Sequence, residues 1–215
     1  MRLLQPVTGL RSSDSDQPLK DDGIRLDQFE SSWPTPDYID GDTLVGMAKA
    51  PLYLVKGLIE DEVHGIVGGA TGTFKTFWAL RLAFSIATGE PFFDRKVYRT
   101  GKVLYACGEG AGGIARRLLA LSIKFGVSIE NICLYTKPLC FNDPLSMADL
   151  RGTIEDLDPV MVMFDTWASL AGGVDENSPS AVGPCMAAVR HTCRGRSSLI
   201  IHHFGKDAEK GFSRR

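Results

Sequence analysis

The chain has 215 residues, 44% of them hydrophobic and 23% charged, with a formal net charge of −2. That suits one domain with a real core and room for an arm, and the near-neutral balance makes no overall demand for nucleic acid while leaving a local basic patch open. No apolar run reaches the roughly 18 residues of a membrane span, so no membrane partner is expected, and the opening Met1-Arg2-Leu3-Leu4-Gln5-Pro6 has no secretory apolar region.

Residues 1–45 are polar and acidic, with Ser12-Ser13-Asp14-Ser15-Asp16 and Lys20-Asp21-Asp22, and keep no period of 2 or 3.6. A disordered acidic arm is expected there. Phe29, Trp33 and Tyr38 offer a docking reading, and a solvated leader is the plainer one. Residues 46–215 are expected to form the core. An apolar lead-in at 52–59 precedes a strand at 63–68, a glycine-rich turn, and a helix at 75–88 that puts Trp78, Leu82 and Ile86 on one side. Gly89 followed by Pro91 ends that helix. Further strands are expected at 102–107, 131–135, 160–164 and 198–201, with helices at 112–125, 146–157 and 180–194 between them. The stretch 166–179 reads as a long loop rich in glycine and acid. Continuous apolar strands alternating with helices predict an α/β fold, a parallel sheet with helices on both faces.

The turn after the first of these strands carries the chemistry. Gly69, Ala70, Thr71, Gly72, Thr73, Phe74, Lys75 and Thr76 follow the phosphate-loop pattern G-x-x-x-x-G-K-[ST], except that Phe74 replaces the second glycine. Inward backbone N–H groups and a helix N-terminus bind phosphate. Lys75 is placed to reach the β- and γ-phosphates, Thr76 to hold Mg²⁺, and Phe77 closes the nucleotide-binding run. The Phe74 side chain must then point away from the phosphates. The bland alternative is a glycine-rich turn with a chance Lys-Thr.

In an open α/β sheet, ligands sit beyond the carboxyl ends of the strands. Three more strands end usefully on that edge. Asp165, after an apolar run, fits a Mg²⁺-holding carboxylate, against a plain turn aspartate. Glu109, between Gly108 and Gly110, fits the base that orients attacking water, against a solvent-exposed turn glutamate. His203 or His202 fits a sensor beside the γ-phosphate, with the other packed into the sheet. Asp175 and Glu176 compete for the catalytic role, although a solvated loop is the plainer reading. Arg116-Arg117 reads as an exposed helix face rather than a DNA contact. The cysteines, Cys107, Cys133, Cys140, Cys185 and Cys193, are odd in number and form no C-x-x-C pair. Reduced thiols in a cytoplasmic protein are expected.

These stretches together resemble the RepA-like hexameric replicative helicases of plasmids and phages, within the RecA-like AAA ATPases. The carriers are Tyr53-Leu54-Val55-Lys56-Gly57-Leu58, the loop 69–76, Thr88-Gly89-Glu90-Pro91-Phe92-Phe93, Val103-Leu104-Tyr105-Ala106-Cys107-Gly108-Glu109-Gly110, Phe164-Asp165-Thr166 and Ile201-His202-His203-Phe204-Gly205-Lys206-Asp207. The resemblance implies a P-loop NTPase with a RecA-like core, using ATP and Mg²⁺ in a homo-oligomeric ring on single-stranded DNA. It implies Glu109 as catalytic glutamate, Asp165 as the metal carboxylate, Lys75 and Thr76 on phosphate and Mg²⁺, and His203 as sensor. Such ATPases continue past this point with basic fingers that reach a neighbouring subunit. The chain therefore reads as cut short or regulatory, with Lys206, Lys210, Arg214 and Arg215 as the remaining finger candidates. Two other classes stay open: a nucleotide-gated recombination or scaffold ATPase with little turnover, and a small-molecule kinase. ATP and GTP are not distinguished.

Overall fold

A computed structural model describes residues 38–46, 51–108 and 110–203. The chain divides into two units, Met1–Lys49 and Ala50–Arg215. In the first, the described residues form a short helix, α1 (Gly41–Gly46), capped by Asp40, whose carboxylate accepts from the Thr43 N–H at 2.9 Å. All of it but Gly46 falls within the stretch expected as an arm; residues 1–37 lie outside the described residues.

The second unit begins with β1 (Tyr53–Val55) and β2 (Ile59–Glu60), an antiparallel pair. Then come β3 (His64–Gly69), α2 (Lys75–Thr88), β4 (Val103–Cys107), α3 (Ala111–Phe125), β5 (Ile132–Tyr135), α4 (Pro144–Leu157), β6 (Met161–Asp165), α5 (Trp167–Leu170), α6 (Pro179–Thr192) and β7 (Ser197–His203). The five longer strands form one parallel sheet in the order β3-β7-β6-β4-β5.

Alternation along the strands builds two cores. Val103, Tyr105, Met161, Met163, Leu199 and Ile201 face one side and pack with Leu80, Ile86, Ile114 and Leu118 from α2 and α3. Leu104, Ala106, Val162, Phe164 and Ile200 face the other and pack with Leu150, Ile154, Trp167, Cys185 and Val189 from α4, α5 and α6. The expected helices on both faces are therefore present. Full burial of each large apolar side chain contributes about 1.5–3 kcal/mol before chain entropy is counted.

Three stretches differ from the sequence reading. The lead-in at 52–59 contributes to a hairpin, turned at Gly57 with φ 61°. The loop at 166–179 contains a helical turn, α5, held by Ser169: its hydroxyl accepts from the Thr166 N–H at 3.0 Å and donates to the Thr166 carbonyl at 2.9 Å. Helix α4 starts at Pro144, two residues earlier than periodicity indicates. Its cap is Asp143, which accepts from the N–H groups of Leu145 and Ser146.

Candidate functional site

The sheet order dictates where a cleft opens. After β4 the chain turns to α3 on one face, and after the neighbouring β6 it turns to α5 and α6 on the other. Diverging connections leave a crevice at the carboxyl ends of those strands. A cleft of about 570 Å³ lies there, lined by Thr76, Asp165, Thr166, Ser169 and His203, with α3 contributing Arg116 and Arg117. A smaller groove of about 380 Å³ runs along β5 beside α4 and shares no residue with it.

The loop from β3 to α2 explains its own composition. A Cβ at Gly69 would meet Thr73 Oγ1 at 3.0 Å and Lys75 Cδ at 3.4 Å. Phe74 sits in the left-handed region, φ 60° and ψ 24°, directly before α2. That conformation is why the phosphate-loop pattern prefers glycine there. Phe74 tolerates it with its side chain turned outward, 72% exposed, and edge-on to Phe77 at 5.7 Å. Lys75 is buried, and its Nζ donates to the carbonyls of Gly69 at 2.8 Å and Ala70 at 2.7 Å. Burial pushes the Lys75 pKa down, with Asp165 pulling the other way.

Asp165 ends the central strand and is 7% exposed. Its Oδ2 accepts from the Tyr105 hydroxyl at 2.8 Å; its Oδ1 is buried with no hydrogen-bond partner. Tyr105 is held protonated by burial and by the neighbouring Asp165 charge. The orphaned Oδ1 and the Thr76 hydroxyl are hard oxygen donors in one cleft and fit Mg²⁺. Among the described residues, no group of three or more His, Cys, Asp and Glu side chains is placed to hold a metal by itself.

His203 is level with Gly69 across the β3–β7 pairing, and His202 with Gly68. Successive residues face opposite sides of a strand. His203 lines the cleft, with its pKa lowered by burial and by Lys75. His202 Nδ1 lies 3.9 Å from Glu176 Oε2, so the acidic loop leans on His202. Glu109, and the finger candidates Lys206, Lys210, Arg214 and Arg215, lie outside the described residues.

The structure thus brings Thr76, Asp165 and His203 together, with Lys75 close enough to influence both Asp165 and His203. Sequence reasoning passed over Tyr105 and Ser169 and gave Arg117 no part in the site. The signal for Tyr105 was a phenol inside an otherwise apolar strand. Arg116 is exposed and Arg117 half-buried, and both flank the cleft. All five cysteines are free. No helix among the described residues is long and apolar enough to cross a membrane.

Residues 37–209 match the family model described as AAA domain. No curated protein matches the chain.

Proposed function

The chain belongs to the AAA domain family of P-loop ATPases, and we propose that it is the motor domain of a RepA-type helicase. In this reading it hydrolyses ATP with Mg²⁺, as part of a homo-oligomeric ring on single-stranded DNA, in plasmid or phage replication. The observation that carries the ATPase reading is the orphaned, buried Oδ1 of Asp165 in the same cleft as Thr76 and His203. The DNA and ring parts are supported by the resemblance of the stretches 103–110 and 201–207.

Lys75 exchanges its loop carbonyls for the β- and γ-phosphates, a cation for anion contact that is stronger than the carbonyl bonds it replaces. Thr76 and Asp165 would hold the ion, which would supply positive charge to the substrate phosphates. Tyr105 fixes the Asp165 rotamer by donating to Oδ2. Glu109 takes a proton from water as that water attacks the γ-phosphorus; the bond from that phosphorus to the bridging oxygen breaks, and ADP leaves. His203, largely neutral at pH 7, hydrogen-bonds the γ-phosphate and reports its loss to β7.

Steady-state ATP turnover with and without single-stranded DNA tests the reading. Stimulation by DNA, abolished in Glu109→Gln with ATP still bound, is expected. Turnover indifferent to DNA removes the helicase part, and transfer of the phosphoryl group to a small acceptor replaces it with a kinase.

A further inference from the structure

The α3 wall of the cleft carries a cation that the mechanism above does not use. Helix α3 starts with no side-chain cap, and a Cβ at Gly110, Gly112 or Gly113 meets nothing within 4 Å. Its first turn therefore presents open backbone towards the cleft that Gly110 and Gly113 line. Arg117 follows, half-buried, with its guanidinium carbon 4.4 Å from the centroid of the Phe77 ring. Phe77 stands directly after the Lys75-Thr76 step, so this contact pins Arg117 over the helix end to which the phosphate loop leads. No carboxylate among the described residues pairs with Arg117. Arg117 lines the same cleft as Asp165 and Thr76. The buried, unpartnered Asp165 Oδ1 in the same cleft points independently to a ligand that brings a cation, as a metal-bound phosphate does.

We infer that Arg117 grips the phosphates of the bound nucleotide in cis, donating from α3 while Lys75 donates from the loop. This rests on the nucleotide reading above. A guanidinium suits such a grip, because its planar fork matches phosphate oxygens and one face is already satisfied by an aromatic ring. Charge on the phosphates is then shared between two walls of one subunit.

Titration calorimetry on the 215-residue chain tests this with ATP·Mg²⁺, inorganic tripolyphosphate and adenosine, comparing wild type, Lys75→Ala, Arg117→Gln and Arg117→Lys. Loss of charge-assisted bonds predicts that Arg117→Gln weakens ATP and tripolyphosphate alike by about 10–100-fold and leaves adenosine unchanged. Arg117→Lys keeps the charge without the fork, is expected to fall between, and carries the test if the glutamine variant does not fold. Wild-type affinity for ATP and tripolyphosphate in the folded variant overturns the inference. So does a loss that appears equally with adenosine, which assigns Arg117 to base stacking. ATP binding that is lost in Lys75→Ala but kept in Arg117→Gln overturns this inference alone; a wild-type chain that binds no ATP overturns the nucleotide reading with it.

Discussion

Tyr105 donates from β4 to Asp165 Oδ2 on β6 at 2.8 Å, and so leaves Oδ1 as the one free oxygen of a buried carboxylate. One hydrogen bond thereby orients the whole group. Tyr105→Phe removes it without changing shape. The expected outcome is a stability loss of about 1–3 kcal/mol, the cost of leaving a buried polar group unpaired, together with weaker Mg²⁺-dependent ATP binding. Urea denaturation and an Mg²⁺ titration of ATP affinity check both.

Gly108 is fixed by contact with α5. A Cβ there would lie 2.3 Å from Ser169 Oγ and 2.4 Å from Ser169 Cβ. Gly108→Ala is expected to cost about 1–3 kcal/mol by overpacking. Ser169→Gly removes both clashing atoms but also the hydroxyl that anchors α5, so its own cost is measured separately and Gly108→Ala should cost little when added to it. Thermal midpoints of both single variants and the double variant decide it; an equal cost of Gly108→Ala with and without Ser169 would mean that the clash is not the cause.

The aromatic in the phosphate loop sets a further test. Phe74 holds φ 60° with its side chain outside. A left-handed residue costs roughly 1–2 kcal/mol, and glycine costs about 0.5–1 kcal/mol in chain entropy, so Phe74→Gly should be neutral to within about 1 kcal/mol. Phe74→Val, β-branched in a conformation hostile to branching, should be clearly less stable. Equal stability of both variants in urea would contradict the assigned backbone.

Much of this was legible in one dimension. The helix at 75–88 was read to the residue, because Lys75-Thr76 and the Gly89 cap mark both ends. The run that ends at Asp165 gave the central strand, since burial on both faces demands unbroken apolar residues. Helix α5 was not legible: four residues carry no period, and its anchor is a serine rather than the Glu or Gln of a usual capping box. Arg117 was not legible either. Its local pattern is that of a solvated face, and only the packing of α3 against α2 sets it over Phe77. Pairing order is likewise a tertiary fact, and it is what places Gly69 beside His203.

His203 and His64 both have pKa values lowered by burial, below the ordinary 6.5. The unfolded chain therefore binds more protons between the folded values and 6.5, so their contribution is fully present above 6.5 and is lost as pH falls below it. Stability should decline on acidification through that range, and His203→Asn should flatten the slope without abolishing it, because His64 remains. An unchanged slope in urea midpoints against pH would remove His203 from the account.

The central claim is that Lys75, Thr76 and Asp165 form one Mg²⁺-dependent nucleotide site. Equilibrium titration of ATP into the chain, with and without Mg²⁺, tests it in wild type, Lys75→Ala and Asp165→Asn. The account predicts saturable binding that Lys75→Ala removes, and that in Asp165→Asn loses its dependence on Mg²⁺ while the chain stays folded. Wild-type affinity and Mg²⁺ dependence in both variants would contradict it.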